Sequence, residues 1–131
     1  MHSEYNRPMS IRRPSAAEVA ALLPLPPANF HILVALADDE LHGYAILQDV
    51  AGRTGGAVQL GAGTLYRAIH RMLESGLVVE SSERPDPALD DERRRYYRVT
   101  PLGAAVVRAE AARLAALVGL ARAKGLAPEG V

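Results

Sequence analysis

Thr64, Arg67, Ala68 and Arg71 recur at spacings of three, one and three, so on a helix they share one side. Tyr66 and His70, four apart, flank that side. Arginine forks pair with guanine edges and with phosphate, and threonine and tyrosine hydroxyls commonly meet phosphate. A second basic group follows an acidic stretch: Arg93, Arg94, Arg95 and Arg98 stand within six positions. Each group has a plainer reading as a solvated basic face. For the second, Asp90, Asp91 and Glu92 would neutralise the arginines locally. Other chemistries find no support. Gly61-Ala62-Gly63 lacks the third glycine of a dinucleotide turn, because Tyr66 stands there, and no phosphate-loop lysine follows. His2, His31, His42 and His70 show no paired ligand spacing, so no metal is expected. With no cysteine, thiol catalysis and thiolate metal sites are excluded. No nucleophile stands beside a base in a supporting motif, so the chain is read as a non-enzyme without cofactor.

Elements that would position these residues are legible in the periodicity. Ser15 and Glu18 form a capping box opening a helix over 15–23, which Pro24, Pro26 and Pro27 end. A helix over about Ala28–Ala37 is expected to bury Phe30, Leu33, Val34 and Ala37. A second, over about His42–Arg53, would bury Tyr44, Leu47, Val50 and Ala51, with Ile46 leaning inward. The third, about Ala62–Ser75, sets Leu65, Ile69, Met72 and Leu73 opposite the basic side and ends at Gly76. The period then becomes two over 77–82 and 93–100, predicting a hairpin with a long acidic tip. Tyr97 and Val99 would face inward, leaving Arg94 and Arg98 more exposed than Arg95.

Thr100-Pro101 starts a helix running to about Gly125, ~36 Å long. Val107, Ala111, Leu114, Val118 and Ala121, with Leu117 beside them, form its apolar stripe. Such a helix overhangs a core of this size, and a second copy of the chain is the economical cover.

The order reads as mainly α with a two-stranded β-hairpin: a winged helix-turn-helix plus a long C-terminal helix. Residues 1–27 are a tail and short helix, 28–100 the winged unit, 101–125 a dimerisation helix and 126–131 a tail. In this arrangement the third helix enters the major groove of double-stranded DNA. The chain has 131 residues, enough for one domain. Its 15 basic and 15 acidic residues cancel, an unusual balance for a DNA-binding domain. Along the chain they alternate: residues 38–52 hold four acids and no base, 53–73 three arginines and no acid. No apolar run approaches the ~20 residues of a membrane span, and no secretory signal opens the chain, so a cytoplasmic protein is expected.

LHGYAI (41–46), LGAGTLYRAIHRMLESGLV (60–78) and ERPDPALDDERRRYYRVTPLG (83–103) together resemble the PadR family of transcriptional regulators. The resemblance spans about residues 30–103, with Ala62 where the family often has proline. It implies a homodimeric winged-helix repressor of the short type, with one C-terminal helix. It implies that Thr64, Tyr66, Arg67, His70 and Arg71 face DNA, joined by wing arginines such as Arg93 and Arg94. His42-Gly43-Tyr44 would be partly architectural, with Tyr44 packed between the second and third helices and His42 capping or touching a phosphate. Val107, Leu114, Leu117, Val118 and Ala121 would line the dimer interface. Release by a small-molecule effector is a further expectation, although the C-terminal helix carries no aromatic residue for stacking one. The alternative function is a winged-helix protein-interaction module without specific DNA binding.

Overall fold

The computed structural model of the chain describes residues 13–81 and 95–127. Helix α1 spans Ala16–Ala20 and starts at the expected capping box. The Glu18 amide donates to Ser15 Oγ at 3.0 Å, and the Ser15 amide to Glu18 Oε1 at 2.8 Å. Helix α2, Pro27–Ala35, takes Pro27 as its first residue, where a missing N–H costs nothing. Its burial corrects the expected stripe. Ile32, Leu33, Ala35 and Leu36 are buried, Phe30 and Val34 are half-buried, and Ala37 is exposed. The reason is position: α2 packs against three other helices, and a helix apolar on most sides suits such a place.

Strand β1, Leu41–His42, leads into helix α3, Gly43–Arg53. Helix α4 spans Ala62–Glu74, then come strands β2, Val78–Glu80, and β3, Tyr96–Val99, and helix α5, Pro101–Ala123. The sheet is antiparallel in the order β1-β3-β2, so the expected two-stranded hairpin carries a third strand. Leu41 pairs with Tyr97 and His42 with Tyr96. Two residues are too few to show a period in sequence; β1 forms because β3 offers it an unpaired edge.

Two joints fix α4 and α5 relative to each other. Gly76, at φ +80°, follows the α4 cap, and the Leu77 amide donates back to the Met72 carbonyl at 2.9 Å. This closes a Schellman turn. Thr100 then caps α5, accepting from the Gly103 amide at 3.0 Å while its hydroxyl donates to the Gly76 carbonyl at 2.6 Å. A side chain at Gly103 would strike the Leu77 carbonyl oxygen, so only glycine lets α5 lie this close to the turn. The core is closed by Ile32, Leu33, Leu36, Ile46, Leu65, Ile69, Met72, Val78 and Val106, each essentially inaccessible.

Candidate nucleic-acid interface

Helix α4 separates its two sides cleanly. Leu65, Ala68, Ile69 and Met72 are buried, whereas Thr64, Arg67, His70 and Arg71 are exposed. Ala68 therefore leaves the polar side where the spacing had put it. At 4% exposure it lies in the core, between the turns of Leu65 and Met72. The remaining outward set keeps its pattern, with Thr64, Arg67 and Arg71 stacked along successive turns. Arg67 folds back along the first turn, its Nη1 3.2 Å from the place a Cβ on Gly63 would take. Gly61 caps the helix without a side-chain bond, so the first turn carries arginine and helix-dipole charge of one sign.

Tyr66 is half-buried, and its phenol rests directly on Gly43 at the start of α3, where any side chain would collide with the ring. The expected architectural role of the His-Gly-Tyr segment thus falls to Gly43, and the ring packed against it comes from α4. Tyr44 is the corrected residue. Far from packing between helices, it is 62% exposed, and Gly43, Ile46 and Val50 form the buried side of α3. The register decides this: 43, 46 and 50 lie along one line of the helix, and Tyr44 is about 100° away from Gly43.

His42 caps α3. Its Nδ1 accepts from the Ala45 amide at 3.1 Å, so the ring proton belongs on Nε2. The same ring meets Tyr96 edge to face, centroids 5.3 Å apart, tying the head of α3 to β3. Arg95 and Arg98 stand at the root of the wing. Arg95 Nε lies 3.6 Å from Glu80 and Arg98 Nη1 3.7 Å from Glu40. Their side-chain exposures, 46% and 54%, follow the expected order, and each pairs with its own carboxylate. Arg93 and Arg94, and the acids Asp90, Asp91 and Glu92, lie outside the described residues.

On α5 the expected interface residues divide. Val107 is half-buried against the core, where it lines an apolar groove of about 320 Å³ with Phe30, Val34, Ala37, Val99 and Arg108. Leu114, Val118 and Ala121 are half-buried, on the helix against which α1 packs. Leu117 is 50% exposed, and Leu120 and Leu126, outside the expected stripe, are exposed further still. The buried line of α5 is Gly103, Val106 and Glu110, none of which belongs to the expected stripe. Glu110 is 3% exposed and holds Arg113 in a two-pronged pair at 2.9 and 2.7 Å. Arg113 keeps the Glu110 carboxyl below the usual carboxylate range, against the upward push of burial, helped by a bond from the Leu25 backbone. An acid three residues before an arginine inside an apolar run was the available signal.

Among the described residues no group of three His, Cys, Asp or Glu could hold a metal ion, and no helix is long and apolar enough to cross a membrane. A three-helix unit with a sheet-rooted wing and one polar, arginine-bearing helix face defines a winged-helix DNA-binding regulator. A sequence profile described as "Transcriptional regulator PadR-like family" matches residues 32–109. A transcriptional regulator of Mycobacterium tuberculosis is 39% identical over 79 residues, 60% of this chain and 67% of that protein. Among solved structures, a transcriptional regulator from Clostridium thermocellum superposes with a TM-score of 0.62 at 20% identity, covering 83% of this chain and 95% of that one. A PadR family transcription regulator from Clostridium difficile gives 0.60 at 21% identity, covering 74% and 96%. These two share the fold. The chain belongs to the PadR-like family of transcriptional regulators, whose members are regulators and not enzymes.

Proposed function

We propose that this regulator is a homodimeric repressor that places α4 of each subunit in a major groove of a palindromic site, about 34–36 Å apart. Residues 28–100 then form the DNA-binding unit and 101–125 the dimerisation helix. The observation that carries this reading is the division of α4: its apolar side is consumed by the core and its outward side is Thr64, Arg67, His70 and Arg71. Arg67 and Arg71 read bases, Thr64 and His70 add polar contacts, and wing arginines such as Arg93 and Arg94 hold phosphates. Tyr66 and His42 serve chiefly by holding α3 against α4 and β3, with the His42 Nε2–H left to meet a phosphate. Dimerisation is supported by the exposed Leu117 and Leu120 on a 23-residue helix that buries Gly103, Val106 and Glu110. The same dimer would regulate: an effector that binds one spacing of the two α4 helices better than another shifts the population between them.

The test is a fluorescence-anisotropy titration with a duplex the protein itself recovers from a random 30-bp library, repeated across salt, with light scattering on the same sample. Sequence-selective binding by a dimer that weakens steeply with salt is the expected result. A dimer that recovers no preferred sequence and binds only weakly would transfer the assignment to a protein-interaction module, the reading that zero net charge favours.

A further inference from the structure

The first turn of α3 is held on three sides. Tyr66 covers Gly43, His42 caps the Ala45 amide and abuts Tyr96, and Leu41 and His42 pair with β3. Tyr44 is the large residue of that turn which none of these contacts uses, and it is 62% exposed. Its position is set by the Tyr66–Gly43 contact, which brings the head of α3 beside the N-terminal half of α4, the half that carries Thr64 and Arg67. The first helix of a helix-turn-helix pair crosses the DNA backbone when the second enters the groove. A phenol there is anchored by a rigid turn, has few torsions to lose, and ends in a donor. The nearby carboxylate of Glu40 is engaged by Arg98, and the positive end of α3 favours an anion.

We propose that Tyr44 is a backbone-contact residue: its hydroxyl donates to a DNA phosphate beside the groove that α4 enters. The inference rests on the reading of α4 given above and adds a contact from α3, one that is neutral and sequence-independent.

The experiment compares the parent protein with Tyr44→Phe, Tyr44→Ala and Arg71→Ala. The probes are the library-recovered 30-bp duplex and a scrambled duplex of equal length. Tyr44→Phe is expected to lose about tenfold in affinity, as for one hydrogen bond to a charged group, on both duplexes alike. The slope of log affinity against log salt stays unchanged, because a neutral donor displaces no counterion. Thermal stability is also unchanged, as expected for an exposed side chain. If Tyr44→Phe and Tyr44→Ala bind as the parent does while Arg71→Ala is weakened, the Tyr44 contact is refuted and the reading of α4 survives. Loss in Tyr44→Ala alone would assign the effect to the ring and overturn the hydroxyl contact. Loss on the recovered duplex alone would make Tyr44 a base reader, overturning the phosphate assignment. If the parent and Arg71→Ala bind both duplexes equally, the reading of α4 fails and the Tyr44 proposal fails with it.

Discussion

Helices α4 and α5 differ in how much of their apolar surface a single chain covers. Over 13 residues, α4 buries Leu65, Ala68, Ile69 and Met72 and turns mostly polar side chains outward. Over 23 residues, α5 buries Gly103, Val106 and Glu110, all in its N-terminal half, and leaves Leu117 and Leu120 largely in water. The body of the subunit surrounds α4 with α2, α3 and β2, whereas α5 meets α1, α2 and β3. The teaching is that amphipathicity means different things in the two places. In α4 the outward side is polar because its partner is water or a nucleic acid. In α5 the outward side stays partly apolar because its proposed cover is a second chain.

The sharpest test of that contrast is Leu65→Ala on the closed side of α4. Leu65 is fully buried, and its truncation is expected to cost about 2–5 kcal/mol in a urea titration, with DNA binding lost through unfolding. Arg71→Ala, on the opposite side of the same helix, should leave that titration unchanged. It should weaken binding to the recovered duplex by about 1–3 kcal/mol and relax preference at one base position. If Arg71→Ala destabilised the fold as Leu65→Ala does, the two sides of α4 would not be independent and the division drawn here would fail.

For α5 the expected effect is on assembly. Leu117→Ser with Leu120→Ser should shift light scattering toward the monomer while helical content is retained, since neither leucine is part of the subunit's own core. An unchanged dimer would move the interface to the groove near Val107 and Phe30. The smallest effect is expected from Glu110→Gln. Glu110 has its folded carboxyl pKa lowered by Arg113, so its contribution is present above the unfolded value and is lost as pH falls through the folded one. The variant should lie below the parent near neutral pH, and the gap should narrow on acidification; a gap independent of pH would remove the ionised pair as its cause.

Where a residue's neighbours are close in sequence, the chain itself settled the outcome. The Ser15–Glu18 box, the Thr100-Pro101 start, the Gly76 stop and the outward line Thr64–Arg67–Arg71 all depend on spacings of three or four, and each stands in the structure. The winged helix-turn-helix order followed from the same local signals and from motifs that resemble the family. Tertiary contact decided the rest. Strand β1 exists because β3, more than fifty positions later, has an edge to pair with it. Tyr44 turned outward because the core met the line of Gly43, Ile46 and Val50, and the ring seated on Gly43 is that of Tyr66 from another helix. Ala68 joined the core and α2 was buried on most of its circumference for the same reason. Periodicity records the preference of one helix, and burial is fixed by how many neighbours surround it. Glu110, an acid in an apolar run, is tolerated there because Arg113 and the Leu25 backbone together satisfy it.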